Sequence, residues 1–232
     1  GARAAVSSLK LGADSGRSAT DFYTSVASQT ISGTLSTVTK TDDVVQVSLN
    51  KGITWVNADN TIGTNTYSLA GQTLDPGAGQ DIRVRVMDRA GNTGAERTQA
   101  YTLDTSADNK LVNSFKLSAD TGLSSSDFIT RTASQTFSGT LDGAMLAGDK
   151  VQFRLNNATN WGTATTSLGG NSFSFNGALA QGTNVIEVRH LDQAGNASTA
   201  YTRAVTLDSL APTVSSISVA DAASGTFKAG DK

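Results

Sequence analysis

The sequence contains one long segment twice. The first copy opens at Asp14 with Asp-Ser-Gly-Arg-Ser-Ala-Thr-Asp, and the second opens at Asp120 with Asp-Thr-Gly-Leu-Ser-Ser-Ser-Asp, 106 residues later. Two further matches are Ser-Gln-Thr-x-Ser-Gly-Thr-Leu, from Ser28 and Ser134, and Asp-x-Ala-Gly-Asn, from Asp88 and Asp192. Because a repeat of this length is longer than a solenoid unit and suits a small domain, each copy is predicted to fold as a complete domain.

The composition favours strands and turns over helices. Ser, Thr, Gly, Val and Ala are abundant, aromatic residues make up 6% of the chain, and prolines number two. Along the chain, no stretch keeps the hydrophobic period of an amphipathic helix. We therefore expect an all-β chain with many turns.

The charge balance excludes two classes of partner. The formal net charge is −2, so no broad basic field is present to hold nucleic acid or an anionic membrane. No apolar run reaches the roughly 18 residues that a membrane-spanning helix needs, and no signal peptide begins the chain. We expect a monomeric piece of a longer exported protein, partnered by neighbouring repeats of the same chain, with no membrane insertion by this segment.

Cysteine is absent and Asp is abundant. Without cysteine, disulfides and thiolate metal sites are excluded, so an extracellular chain needs another source of stability. Only Glu96 and Glu187 are Glu among the 20 acidic residues, which leaves 18 Asp. Asp suits loops that bind hard cations such as Ca²⁺, although it is also a common turn residue. For the repeated Asp residues we favour the cation interpretation.

Short strand-like runs separated by turn clusters recur in both units. In unit one, residues 50–52 predict a hairpin into a strand at 53–56, residues 75–79 predict a break, and residues 97–103 predict a final strand. This plan predicts tandem immunoglobulin-like antiparallel β-sandwiches of about seven strands each, with Greek-key topology. The predicted units are residues 1–105 and 106–210, followed by a linker and the truncated start of a third, different unit in 211–232, whose end is alternatively a disordered tail.

Strand direction is expected to bring acidic residues of the two units together. In such a sandwich, the loop of residues 14–21 lies at the pole where the last strand of unit one ends and unit two begins. The turn of residues 192–196 faces back toward the same pole. Clustered carboxylates repel one another, whereas Ca²⁺ takes about six to eight oxygen ligands. The predicted ligands are Asp14, Asp21, Asp104 and Asp192, with Asn196, Ser18 and backbone carbonyls supplying further oxygens.

The same repeat predicts two incomplete sites. At the end of unit two, a second junction with whatever follows would use Asp120, Asp127 and Asp208. Asp88 and Asn92 would be half of a site completed by a preceding domain. The linker residue Asp108 either joins the first junction or is simply solvated.

A structural explanation of these motifs is the alternative. Asp14 and Asp120 would then cap their own loops as Asx turns, and Asp-x-Ala-Gly-Asn would be only a tight turn. Each motif alone favours that explanation. Their recurrence together, at one pole, favours a metal site.

The combined pattern resembles a known family. Asp-(Ser/Thr)-Gly-x-Ser-x-x-Asp-x-x-Thr, Ser-Gly-Thr, Asp-x-Ala-Gly-Asn and Leu-Asp together resemble the tandem bacterial Ig-like domains of giant RTX-type adhesins, which include biofilm adhesins. The resemblance covers nearly all of residues 8–210. It implies an extracellular, cell-surface extender that Ca²⁺ stiffens at its junctions so as to project a terminal binding domain. For this chain the resemblance implies that Asp14, Asp21, Asp104 and Asp192 bind Ca²⁺ at the junction between the units.

No residue set favours an enzyme. The one histidine, His190, aligns with Val86 in unit one, so no Ser-His-Asp set recurs. Paired Asp residues could indicate a glycosidase, but no carboxylate pair lies near a predicted cleft and Glu is almost absent. No Gly-rich phosphate loop follows a strand. Trp55 and Trp161 align, and packing is their expected role, with a sugar-stacking platform as the alternative. We predict a non-enzymatic extender; a carbohydrate- or receptor-binding module and an accessory array of a secreted enzyme are the alternatives.

Overall fold

The computed structural model describes residues 4–216 of the chain. Within this range the chain forms strands and turns, and it contains no helix that could cross a membrane. The predicted start of a third unit falls mostly on residues 217–232, outside the described residues. Its described part, residues 211–216, carries no strand.

Unit one is a sandwich of two sheets. Its strands are β1 (Val6–Leu11), β2 (Tyr23–Thr24), β3 (Ser28–Leu35), β4 (Val44–Ser48), β5 (Val56–Asn57), β6 (Thr66–Thr73), β7 (Gly77–Met87) and β8 (Arg97–Leu103). One sheet has the strand order β1-β3-β6 and the other β2-β8-β7-β4-β5. Because β3 pairs with β6 while β4 pairs with β7, the chain crosses between the sheets as in Greek-key sandwiches.

Unit two repeats this architecture. Its strands are β9 (Val112–Leu117), β10 (Ile129–Thr130), β11 (Ser134–Leu141), β12 (Lys150–Leu155), β13 (Gly162–Thr163), β14 (Thr165–Thr166), β15 (Ser172–Ala178), β16 (Gly182–Leu191) and β17 (Tyr201–Leu207). The sheets have the orders β14-β15-β11-β9 and β10-β17-β16-β12-β13. The predicted all-β tandem sandwich is confirmed, with eight and nine described strands rather than about seven.

Each unit also contains one parallel strand pair, which the purely antiparallel prediction did not include. β2 pairs in parallel with β8, and β10 pairs in parallel with β17. Since β1 pairs with β3 in the other sheet, the loop of residues 14–21 carries the chain from one sheet to the other. The short β2 covers the edge of β8, whose backbone groups would otherwise lack strand partners.

Two local predictions differ from the structure. The strand expected at residues 53–56 is confined to β5, Val56–Asn57, which pairs with β4. The break predicted at residues 75–79 is present but shorter, since β6 ends at Thr73 and β7 begins at Gly77, with a register shift between Gly77 and Gln80. Gly77 and Gly79 have φ of 93° and 79°, so the glycines that indicated a break form a β-bulge instead. The strand predicted at residues 97–103 is β8.

Each unit buries its own core. In β3, Ile31 and Leu35 face inward and are 0% and 2% exposed, and in β11 Phe137 and Leu141 do the same. The buried apolar residues form two clusters, one drawn from residues 4–103 and the other from residues 117–207. The alternation of the strands therefore creates two independent sandwiches.

The repeated Ser-Gly-Thr motif has a packing cause. A Cβ on Gly33 would lie 2.0 Å from the carbonyl oxygen of Ser8 and 2.6 Å from the hydroxyl of Tyr67. Tyr67 crosses this glycine to donate to Ser8 O at 2.9 Å, and burial raises the pKa of its phenol. In unit two the ring of Phe173 crosses Gly139, where a Cβ would lie 2.6 Å from it. Only glycine leaves room for these rings.

We expect Gly33→Ala to destabilise unit one by about 1–3 kcal/mol, because the added methyl group meets backbone that cannot move aside. Urea denaturation followed by the fluorescence of Trp55, in a Trp161→Phe background, measures this unit. Gly94→Ala is the control, since its Cβ would lie 3.5 Å from the nearest atom, Val86 O, and should change stability by no more than about 0.5 kcal/mol. Equal effects of the two substitutions would refute the packing explanation.

Candidate functional site at the junction between the units

The loop that begins at Asp14 is fixed at its base by a buried amide. Gln29 is 3% exposed; its side chain accepts from Ala13 N and donates to the carbonyl oxygens of Ala13 and Val26. In unit two, the 2%-exposed Gln135 makes the equivalent bonds to Ala119 and Thr132. Both ends of each loop are thereby tied to the core sheet.

One oxygen of each first loop carboxylate caps the loop. Asp14 Oδ2 accepts from Phe22 N at 3.0 Å, and Asp120 Oδ2 accepts from Phe128 N at 3.0 Å. Phe22 and Phe128 have φ of 59° and 61°, a left-handed conformation that is costly for a bulky residue. The same strained phenylalanine in both units indicates that the capped loop has one required shape.

The other oxygen of each carboxylate has no hydrogen-bond partner. Asp14 Oδ1 and Asp120 Oδ1 are both buried and unpaired. Burial raises the pKa of Asp14; the hydrogen bond from Phe22 opposes this rise, and the negative charge of Asp21 adds to it. An ionised carboxylate in this position is destabilised, and a cation beside it would remove that cost.

The remaining predicted carboxylates of the loops and strand ends accept from nearby backbone N–H groups. Each of these contacts spans two or three residues along the chain. They are Asp21 from Tyr23, Asp104 from Ser106, Asp127 from Ser124 and Ile129, and Asp208 from Leu210. These bonds are local turn contacts at residues other than Asp14 and Asp120, which the structural alternative named, and they leave further lone pairs on each carboxylate.

The Asp-x-Ala-Gly-Asn turns are built alike in the two units. Asp192 Oδ1 accepts from the backbone N–H of Gly195 and Asn196, while Asp88 Oδ1 accepts from that of Ala90 and Asn92. Asn196 Nδ2 also donates to Asp192 Oδ2, at 2.9 Å. The turn is thus a rigid unit that presents its backbone and the asparagine amide outward.

The loop of unit one and the turn of unit two are in direct contact, as the strand directions predicted. Arg17 N donates to Gln193 O at 3.1 Å, and Ser15 Oγ donates to Ala194 O at 2.6 Å. Asn196 Nδ2 donates to Asp104 O at 2.8 Å. Residues 14–21, the end of β8 and residues 192–196 therefore meet at one place, which we call the junction.

Two glycines permit this contact. A Cβ on Gly16, where φ is 88°, would lie 2.0 Å from Gln193 O; a Cβ on Gly195, where φ is 96°, would lie 2.8 Å from Gly16 N. Any side chain at either position would push the two units apart. The glycines of the repeated motifs therefore serve the junction as well as their own turns.

The side chains at the junction do not form a single acidic cluster. Across residues 4–216, no group of three or more His, Cys, Asp or Glu side chains is arranged to hold a metal ion. Asp14 and Asp21 are close enough to interact electrostatically, whereas Asp192 is directed into its own turn. The predicted segments meet, but Asp14, Asp21, Asp104 and Asp192 do not converge as one set of ligands, and Ca²⁺ binding stays a prediction.

Residues outside the predicted site also have defined places. Asp108, expected either at the junction or simply in solvent, instead pairs with Lys110, and its carbonyl oxygen lies 2.8 Å from Nδ1 of the fully buried His190. Trp55 and Trp161 each have a guanidinium over the ring, from Arg85 at 3.8 Å and Arg189 at 4.0 Å. The two rings thus take part in cation–π packing on the sheet.

Sequence reasoning missed the residues that hold the loop in place. In the sequence, Gln29 and Gln135 stand out only as part of a repeated strand motif. Thr24 and Thr130 stand out only as a repeated residue, and in the structure their hydroxyls donate to the carbonyl oxygens of Ala13 and Ala119. Their recurrence was the available signal, since a polar residue kept at an inward-facing strand position must have buried partners.

We expect Gly195→Ala to loosen the junction and Gly91→Ala to leave it unchanged. The two glycines occupy the same turn position, with φ of 96° and 82°, but a Cβ on Gly91 would meet nothing within 4 Å among the described residues. The backbone strain is therefore matched, and only Gly195→Ala adds a clash across the junction. Residual dipolar couplings give an alignment tensor for each unit. A looser junction would appear as a larger difference between the tensors of the two units. Identical alignment in both variants would contradict the close approach.

Comparison with protein families identifies both units. The family model described as bacterial Ig-like domain matches residues 2–105 and, a second time, residues 108–209. A search of curated proteins found no match to this chain. The two matches together cover nearly the whole chain and include every predicted ligand residue.

Solved structures with a similar course of the chain are distant. The fibronectin(III)-like modules of CbhA from Clostridium thermocellum are 14% identical, with a TM-score of 0.47, over 86% of this chain and 94% of that one. The FN1-FN3 domains of chicken CNTN1 are 11% identical, with a TM-score of 0.47, over 85% and 66%. The BSP domain of a biofilm associated protein is 17% identical, with a TM-score of 0.28, over 82% of this chain and 29% of that one.

Proposed function

Because this chain belongs to the bacterial Ig-like domain family and contains two of its domains in tandem, we propose that it is a non-enzymatic extender module of a large bacterial surface adhesin of the RTX type. On this proposal the protein is exported and works outside the cell. Its task is to hold a terminal binding domain away from the surface. Its partners are the neighbouring repeats of the same chain, and it acts as a monomer.

The observation that carries the proposal is the bonded contact between the units. A flexible tether needs no contact between its domains. A spacer that holds a terminal domain at a set distance needs a fixed interdomain angle at every junction. Arg17, Ser15 and Asn196 each bond across this junction through backbone carbonyl oxygens. Such bonds tolerate changes in the side chains of the acceptors, which suits an array of related repeats.

We further propose that Ca²⁺ rigidifies each junction. The loop carboxylates are the first ligands: Asp14 with Asp21 in unit one, and Asp120 with Asp127 in unit two, because each pair contains a buried oxygen that lacks a partner. Asp104 and Asp208 follow β8 and β17, the strands beside these loops. Asp192 and Asn196 would approach this junction from the turn of unit two. In the same way, Asp88 of unit one would approach the junction with a preceding domain. When bound, Ca²⁺ supplies the positive charge that these oxygens lack.

The chain itself fixes the loop that carries the first of these proposed ligands. Gln29 and the bond from Phe22 to Asp14 hold the loop in one shape, so little entropy is lost when a cation binds. The contact of Ser15 with Ala194 keeps the facing turn in place. A ligand bound only by the assembled junction would stabilise that assembly in proportion to its free concentration.

We expect small-angle X-ray scattering of the full chain to report a narrower range of interdomain angles with Ca²⁺ than with a chelator. The melting temperature should rise with Ca²⁺ concentration, by an amount equivalent to about 2.7 kcal/mol at a hundredfold excess over Kd. Mg²⁺ at the same ionic strength is the control for general screening. Scattering curves that are identical in Ca²⁺ and in chelator would refute the proposed rigidification.

The substitution Asp14→Asn should affect stability differently in chelator and in Ca²⁺. In chelator it should leave stability equal or raise it, because burial and Asp21 make the ionised carboxylate unfavourable and the amide oxygen can still accept from Phe22 N. In Ca²⁺ it should lose most of the wild-type gain in melting temperature. Asp59→Asn, at an exposed acidic residue of the same unit, is the matched control. An undiminished Ca²⁺ gain in Asp14→Asn would count against this ligand.

A further inference from the structure

A buried polar cluster lies where the linker enters unit two. Lys110 is 7% exposed and His190 is fully buried. Lys110 Nζ lies 3.1 Å from Asp149 Oδ2, and His190 Nε2 lies 3.0 Å from the same oxygen, although it is not aligned for a hydrogen bond. Lys110 also pairs with Asp108. Two basic groups from distant parts of the chain thus meet one buried carboxylate.

Unit one has the same acid without these partners. By the alignment of the repeats, Asp149 corresponds to Asp43, Lys110 to Ala4 and His190 to Val86. Ala4 and Val86 are core residues, 4% and 2% exposed. The acid has a shared local role, since Asp43 accepts from Lys40 N and Asp149 accepts from Leu146 N. That turn cap explains Asp149, but it does not explain Lys110 or His190.

A gain in stability is a poor explanation for Lys110 in place of Ala4 and for His190 in place of Val86. Placing a lysine and a histidine where the sister unit buries apolar groups costs desolvation, and a buried ion pair seldom improves on an apolar core. Burial lowers the pKa of Lys110, but its hydrogen bonds to Asp108 and Asp149 outweigh that effect and the pKa is raised overall. The lysine is therefore charged, and its charge holds it to Asp149.

The cluster acts on the linker backbone. Side chains of unit two bind every second carbonyl oxygen of the linker. Asn196 Nδ2 donates to the carbonyl oxygens of Asp104 and Ser106, and His190 Nδ1 donates to the carbonyl oxygen of Asp108. Since a carbonyl oxygen only accepts, Nδ1 carries the proton in this contact. Beyond it, Leu111 N donates to Asp142 Oδ1, and Asp142 N donates to Leu111 O. The linker is therefore bonded to unit two before β9 begins.

We propose that Lys110, Asp149 and His190 form a linker anchor that makes residues 108–111 part of unit two, so that any bending between the units takes place before residue 108. The anchor goes beyond the proposed function because none of its three side chains is a proposed cation ligand. It sets the direction in which the linker leaves unit two whether or not a cation is present. Unit one, with Ala4 and Val86, has no such anchor among the described residues.

The test is the double variant Lys110→Ala with His190→Val, which copies the arrangement of unit one around its retained acid. Hydrogen exchange of the full chain is measured in chelator, so the outcome does not depend on whether the chain binds Ca²⁺. In the wild type, the amides of Lys110 and Leu111 should be protected. In the double variant their protection should fall by roughly tenfold or more, as expected for the loss of charge-assisted hydrogen bonds, while the amides of β12 and β16 keep theirs.

Two results would overturn the anchor. Unchanged protection at Lys110 and Leu111 would mean that the cluster does not hold the linker. An equal fall at the linker and at β12 and β16 would mean that it serves only the stability of unit two. Lys116→Ala removes an exposed lysine from β9 and should change neither. If the double variant does not fold, Lys110→Met keeps the apolar stem while removing the charge, and the same comparison of amides decides the question.

Discussion

The path of the chain between the two units depends on a backbone-to-backbone approach. Residues 14–21 of unit one and the turn closed by Gly195 come so close that a Cβ on Gly16 would lie 2.0 Å from Gln193 O. At this separation the peptide groups bond to each other instead of to water, as Arg17 N does to Gln193 O. The other junction contacts follow, because a turn held there brings Asn196 to the linker carbonyls and sets Asp14 beside the interface.

The acidic residues of the junction have the capping role that the sequence offers as one alternative, and their geometry is compatible with the proposed cation binding as well. One oxygen of each accepts from a backbone N–H group nearby in the chain, which accounts for the prevalence of Asp over Glu. One oxygen each of Asp14 and Asp120 is left buried and unpaired. Capping and cation binding are therefore compatible on one carboxylate, since the two oxygens are directed to different partners.

Much of the fold could be predicted from the sequence because local pattern dictates it. The strand-like pattern of segments such as residues 97–103 predicts strands with the observed bounds, and the two copies of the repeat predict two sandwiches. The predictions differ from the structure where the outcome depends on residues far away in the sequence. Gly77 and Gly79 lie in a bulge of β7 instead of in the break because β7 pairs there with β8, and residues 53–55 remain outside a strand. The parallel pairing of β2 with β8 joins segments about eighty residues apart, which no local pattern encodes.

The sequence by itself determined the repeat, the all-β architecture and the segments that meet at the junction, because hydrophobic alternation and strand direction fix these without side-chain detail. Only the tertiary structure decided which atoms meet there. Whether a carboxylate oxygen faces a backbone N–H or a buried space depends on loop geometry that Gln29 and Phe22 impose from elsewhere in the unit. His190, which aligned with a valine and had no evident role, acquires one because the pairing of β12 with β16 places it beside Asp149 and Lys110, and that register exists only in the folded chain.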